Sequence, residues 1–159
     1  MRQKQLFKWI NLMMVIGWSA CTTSIGKNTV VEAEFTDRYW TLTGLTAEPA
    51  LDWDLDGVTE TDILEKLEDC ERDDAIKFTS NHMVMEHSGE EQCDEEEDVE
   101  RETGTWEYND SLKTLAVITA GHEPQIYQIA EANGDRLVLL YRVEARSATH
   151  VLTAIYAAR

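Results

Sequence analysis

From Asp37 onward the chain reads as short apolar–polar alternations separated by turn residues. Arg38 to Leu45, with Tyr39, Trp40, Leu42 and Leu45, predicts an opening strand rich in threonine and aromatics. Ala75 to Ser80 and Met83 to His87 predict two strands across Asn81-His82. Thr105 to Tyr108 and Ser111 to Thr119 predict another pair across Asn109-Asp110. Gln125 to Ala130 and Arg136 to Ala145 flank Asn133-Gly134, the strongest hairpin signal in the chain, because both positions tolerate the positive φ of a tight turn. Thr149 to Ala157 predicts the last strand. One segment carries helical spacing instead. Thr59 is placed to cap a helix over Thr59 to Leu67, Asp62 stands three residues on, and Ile63, Leu64 and Leu67 form its apolar face.

About eight sequential strands, mostly joined by tight turns, predict an all-β fold: an antiparallel up-and-down eight-stranded barrel with one short inserted helix. Closure removes exposed strand edges. An eight-stranded interior is either filled by side chains or holds one small ligand. Alternation does not say which face is inward. Lys113, Leu115, Val117 and Thr119 share one face, while Leu112, Thr114, Ala116 and Ile118 share the other, and both carry apolar residues. Ile126 and Ile129 break strict alternation in their strand.

The first twenty residues follow a different pattern. Arg2, Lys4 and Lys8 form a positive start, and Leu12 to Trp18 form an apolar run. Ser19 and Ala20 then lead into Cys21. This predicts a secretory signal over residues 1–20. A small residue before a lone cysteine after such a run resembles the lipobox of bacterial lipoproteins, although Trp18 stands where leucine is usual. The resemblance implies acylation of Cys21, and with no aspartate after it, residence at the outer membrane, the periplasmic face preferred. Plain secretion and a retained single-span anchor are the alternatives, the apolar stretch being short for a bilayer. Residues 21–36 then serve as the lipidated start and tether, and 37–159 as the domain.

Charge narrows the partners. The 159 residues carry 31 acidic and 14 basic side chains, a net charge of -17. Loss of residues 1–20 removes three basic residues and no acidic ones, which leaves 11 against 31 and a net charge of -20. Such a body does not bind nucleic acid, whose phosphates require clustered lysine and arginine. An anionic membrane face repels it, so any membrane contact falls to the acyl group.

Cys70 and Cys93 remain after Cys21 is assigned. In an oxidising compartment a disulfide is the economical reading, with free thiols or a metal site as alternatives. The most specific local motif is Asp52-Trp53-Asp54-Leu55-Asp56-Gly57-Val58-Thr59-Glu60-Thr61-Asp62. Carboxylates at alternate positions followed by glycine form the first half of a calcium loop. Asp52, Asp54, Asp56, the Val58 carbonyl, Glu60 and Asp62 are the candidate ligands of a structural Ca2+. Ile63 stands at the twelfth position, where a full EF-hand has its bidentate acid, so the loop is EF-like only. The other reading is a solvated acidic turn, with Asp62 capping the helix. The run Asp94 to Asp98, flanked by Glu90, Glu91, Glu100 and Glu102, reads as a solvated loop. His82, His87, His122 and His150 show no ligand spacing. Gly-x-Ser-x-Gly, His-Glu-x-x-His and phosphate-binding glycine loops do not occur. The residues therefore predict no enzyme.

Together these pieces resemble a family. Trp40-Thr41-Leu42-Thr43 opens the domain, and Asp69-Cys70-Glu71-Arg72-Asp73-Asp74 leads into Lys77-Phe78. Cys93-Asp94, Gly104-Thr105-Trp106 and Leu137 to Tyr141 follow. The chain is similar to the lipocalin-like lipoproteins of Gram-negative, Bacteroidetes-type bacteria over about Asp37 to Arg159. Arg38 stands where the glycine of the lipocalin Gly-x-Trp opening would be. The resemblance implies a calycin-type barrel, with Trp40 packed at the closed end under an arginine such as Arg142. It also implies a small apolar or amphipathic ligand in the barrel mouth. The competing expectation is a filled, non-catalytic barrel acting as an accessory or inhibitor surface for an envelope protein of unknown identity, with a calcium-stapled loop. Side-chain volume at the inward positions separates the two: bulky residues throughout, such as Trp106 and Tyr141 both pointing inward, would leave no cavity.

Overall fold

The computed structural model describes residues 33–159 apart from residues 95, 97, 146 and 147. The signal over residues 1–20, Cys21 and the tether up to residue 32 lie outside the described residues. Nine strands form one antiparallel sheet. They are β1 (Tyr39–Leu51), β2 (Glu60–Asp62), β3 (Ala75–Phe78), β4 (Met83–His87), β5 (Glu100–Asn109), β6 (Thr114–Ile118), β7 (Gln125–Ala132), β8 (Arg136–Ala145) and β9 (Ala148–Ala158). The order is β2-β1-β3-β4-β5-β6-β7-β8-β9, and β1 also pairs with β9. That last pairing closes an eight-stranded barrel, with β2 as an extra strand on the upper part of β1.

Turn chemistry explains the hairpins. The Asn133 side chain accepts hydrogen bonds from the Asp135 and Arg136 amides, each at 2.9 Å. Asn109 does the same for Leu112 at 3.0 Å. His82 and Lys113 take positive φ angles of 66° and 52° at their turns. Gly104 has a steric role, because a β-carbon there would lie 2.3 Å from the Ile118 carbonyl oxygen. Only glycine lets β5 and β6 approach this closely.

The expected helix over Thr59 to Leu67 does not form. Glu60 and Asp62 are extended and pair with Leu51 and Thr46 of β1. The Ile63 amide donates to the Leu45 carbonyl at 2.8 Å, and the Ile63 side chain is fully buried. Strand pairing together with burial of one isoleucine outweighs a short run of helical propensity. Helical turns appear later. A 3-10 turn spans Leu64–Lys66, and a single-turn helix α1 spans Asp69–Arg72. Ile63, not Thr59, stands at the start of the first turn, and Asp62 just before it accepts from the Leu64 amide at 3.1 Å. Glu68 and Glu71 form the capping box of α1. Among the described residues no helix is long and apolar enough to cross a membrane.

The core has two parts. At the lower end, where β1 begins, Phe35, Trp40, Phe78, Val84, Trp106, Leu115, Leu137 and Leu139 pack together. The Phe35 ring lies 5.5 Å from both Phe78 and Trp106. It plugs this end from the segment that precedes β1. At the upper end Leu45, Ala47, Leu51, Ile63, Leu152 and Ala154 form a second cluster. Leu115 and Val117 are the inward residues of β6. Ile126 points out and is 52% exposed, while Tyr127 and Ile129 point in. A bulge between Ile129 and Glu131 resets the facing for the rest of β7.

Candidate functional site

Register places polar groups on the inner face above the plugged end. Trp40, Ile76, Glu86 and Arg101 stand side by side across β1, β3, β4 and β5. Trp40 and Ile76 belong to the lower core, so Glu86 and Arg101 share the inward face. Arg101 donates from Nε and Nη2 to one Glu86 oxygen at 3.1 and 2.9 Å. Both side chains are about half exposed, so the pair sits at a wet mouth. Leu42 pairs with Tyr156 one level higher, across β1 and β9. Together with Glu71 of α1 and Asp74, these residues line a cleft of about 340 Å³.

Three tyrosines point into the same interior. Tyr156 touches both core clusters. The Tyr127 and Tyr141 rings lie 5.2 Å apart at 59°. Burial raises all three phenols, Tyr141 to about 12, and for Tyr156 the neighbouring tyrosines and Glu86 add to it. Above the Gln128–Leu140 pair β7 and β8 part, with no further pairing between them. A second cleft of about 570 Å³ lies there, lined by Pro124, Ile126, Tyr141 and Arg142 among others.

The raised phenols have a consequence for alkaline stability. The unfolded chain ionises its tyrosines near the ordinary value of 10.0, whereas the folded chain keeps these three neutral to higher pH. Stability is full below that value and falls as pH rises through 10 toward 12. Phenolate absorbance followed beside circular dichroism should therefore show these tyrosines ionising late, together with loss of structure. Early ionisation of every tyrosine in a still-folded protein would place these rings in water.

The arginine over Trp40 is Arg38, not Arg142. Its guanidinium carbon stands 5.8 Å from the Trp40 ring centroid, and it also donates to the Gly134 carbonyl. Arg142 alternates with the inward Tyr141 and Val143, pairs with Val151, and faces the outer cleft. The residue just before β1 reaches the ring from below, next to the Asn133-Gly134 turn.

The acidic loop gathers part of the expected ligand set. One carboxylate oxygen from each of Asp52, Asp54 and Asp56 lies within 4.8 Å of the others. Asp54 accepts from the Asp56 amide at 3.2 Å, and Asp56 from the Val58 amide at 2.7 Å. Leu55 and Gly57 take positive φ angles, which turns the loop on itself. The other acids are used differently. Lys66 places its ammonium 3.1 Å from Asp54 and 3.0 Å from Glu60. The hydrogen bonds it donates to Glu60 and Asp54 hold this lysine protonated well above the usual range, and Lys66 in turn lowers Asp54. Asp62 is spent on the Leu64 cap. The motif therefore carries an internal cation, which its spacing did not reveal.

Cys70 and Cys93 form a disulfide. It ties α1 to the acidic loop that follows β4. Asp73 supports the same contact, accepting from the Glu90 and Glu91 amides at 2.6 and 3.2 Å. The histidines have packing roles. His82 lies against Trp106 at 4.9 Å, His87 against Tyr39 at 5.6 Å, and buried His150 has Nδ1 2.8 Å from the Pro49 carbonyl. His122 is exposed in the β6–β7 loop. No histidine joins a metal cluster among the described residues.

A family model described as a lipocalin-like domain matches residues 22–139. No curated protein and no solved structure matches the chain.

Proposed function

The chain belongs to the lipocalin-like domain family, and from that premise we propose that it binds a small amphipathic ligand in the barrel mouth while an acylated Cys21 holds it at the outer membrane. The observation that carries this reading is the cleft above the plugged end. It offers apolar walls from Trp40, Leu42 and Ile76, with the Glu86–Arg101 pair beyond Ile76 and the Tyr156 phenol beside Leu42. Ligand sites have this composition: apolar walls with a few convergent polar groups. The filled lower half bounds the ligand. Phe35, Phe78 and Trp106 occupy the place of a deep calyx, and Trp106 and Tyr141 both point inward. A cleft of about 340 Å³ takes a small molecule or one end of a longer one.

The converging Asp52, Asp54 and Asp56 support a structural calcium in their loop, with Lys66 as its competitor for Asp54. The packing of the lower half favours the second reading, a filled barrel that works through its surface.

Native mass spectrometry of the full protein, extracted from its membrane with and without a chelator, tests these proposals in one experiment. The expected masses are the chain from Cys21 with its acyl groups, a co-purifying small molecule, and a chelator-sensitive increment of one calcium ion. An apo mass after repeated gentle extraction would sink the ligand reading and leave the filled barrel. An unprocessed N-terminus would sink the anchor, and no calcium increment at roughly millimolar calcium would sink the metal.

A further inference from the structure

We infer that the mouth cleft selects a ligand with a positively charged head, an alkyl- or arylammonium, over neutral or anionic molecules of the same body. The inference rests on the proposal that this cleft is a binding site, and it adds the chemical class.

The argument starts from charge at the cleft. Glu71, Asp74 and Glu86 bring three carboxylates to it, and Arg101 brings the one guanidinium among its lining residues. That guanidinium is committed, since both Nε and Nη2 face one oxygen of Glu86. An incoming carboxylate or phosphate would have to break this pair and then meet Glu71 and Asp74 at the rim. An ammonium meets no such obstacle, because it is attracted by all three carboxylates and need not displace the Arg101 contacts to one Glu86 oxygen. Glu71 is held in place at the rim, its Oε2 accepting the Glu68 amide at 2.9 Å as part of the α1 capping box.

The walls work in the same direction. Leu42, Ile76 and the edge of Trp40 make an apolar surface on which water screens poorly, so the field of the carboxylates is focused into the cleft. The whole chain, at a net charge of -17, adds a long-range field of the same sign. Tyr156, neutral and beside Leu42, supplies a phenol oxygen that can accept from an ammonium N–H. A ligand of one positive head and a short apolar body therefore meets a complementary group at each end. A fatty acid of the same length meets repulsion at its head.

The test is a matched series with one body and three heads: octylammonium, octanol and octanoate. Each is titrated into the full protein by calorimetry at low and at high salt. The expected order is ammonium first and carboxylate last, with about tenfold or more between them, and a gap that narrows with salt. Glu86→Gln should weaken octylammonium several-fold and improve octanoate, because one of the cleft's three carboxylates loses its charge. Arg101→Gln should do the opposite, which keeps the comparison informative if one variant folds poorly. Melting curves of both variants separate a lost site from a lost fold. Equal binding of all three heads, or tightest binding of octanoate, overturns the charge selection and leaves the ligand reading standing. Failure of all three to bind overturns the binding reading and this inference with it.

Discussion

Replacing Trp40 with alanine is expected to cost about 3–5 kcal/mol of folding stability, the range for deleting a large buried aromatic. Trp40 is fully buried at the lower end of the barrel. It sits where the sheet closes, its residue facing Ile76 of β3 on one side and Ala158 of β9 on the other. Its indole N–H donates to the Phe35 carbonyl at 2.8 Å and so fastens the plugging segment. Alanine removes three things together: the packed volume, the donor for a buried carbonyl, and the surface under Arg38. With a total stability of roughly 5–15 kcal/mol, the loss is a large share. Melting should fall by roughly 10 °C or more. Trp40→Phe keeps most of the volume and loses the N–H, and should cost only about 1–2 kcal/mol. Urea unfolding of the two variants beside the parent reads both numbers. A cost below about 1 kcal/mol for the alanine variant would mean that the lower end is not a tight plug.

How much of this was legible depended on whether the cause was local. Asn133-Gly134 and Asn109-Asp110 make their turns with their own side chains and backbone, so both hairpins could be read from neighbouring residues. The strand count and the closed barrel followed from those turns. The Cys70–Cys93 bridge was legible because, with Cys21 assigned to lipid, only two cysteines were left to pair. Thr59 to Leu67 was misread because its fate is decided elsewhere: by the free upper edge of β1, and by the space that Ile63 fills. No pattern within nine residues reports either. Facing was hidden for a similar reason. Bulges between Leu42 and Gly44, Val84 and Met85, and Ile129 and Glu131 each shift the parity of one strand.

The resemblance implied a ligand in the barrel mouth, but the polar residues of the cleft were not read from the sequence, though half of their signal was present. Glu86 stands two residues after buried Val84, so it is a charge at a core position of its strand. That mismatch between charge and parity marks an inward polar group. Its partner Arg101 could not be recognised in the same way, because the bulge separates it from the parity of Gly104 and Trp106. The acidic loop shows the converse. Its alternation correctly brought Asp52, Asp54 and Asp56 together, but Lys66 arrives from beyond β2 and takes Asp54 and Glu60. Spacing identifies which groups can converge, and cannot show which countercharge reaches them first.

Replacing both Cys70 and Cys93 with serine is expected to remove about 3 kcal/mol, the chain-entropy value for a loop of this length. The bridge spans a sequence separation of 23 and joins two weakly built segments. α1 has four residues and no buried side chain, so it contributes little packing of its own. Across the bridge, Asp73 accepts the Glu90 and Glu91 amides of the segment after β4. The loss should therefore come from both directions: a freer unfolded chain, and a looser α1 in the folded one. Urea unfolding should show a lower midpoint and a steeper slope, since the unlinked unfolded chain exposes more surface. Amide exchange should quicken first around Glu68 to Asp73 and Ser88 to Glu91, with the β8–β9 pairing still protected. Because α1 carries Glu71 to the cleft, octylammonium should bind the double variant more weakly than the parent. A reductant should reproduce every one of these changes in the parent and none in the variant. If unlinking costs less than about 1 kcal/mol and leaves exchange unchanged, then Asp73 alone holds the loop and the bridge is dispensable.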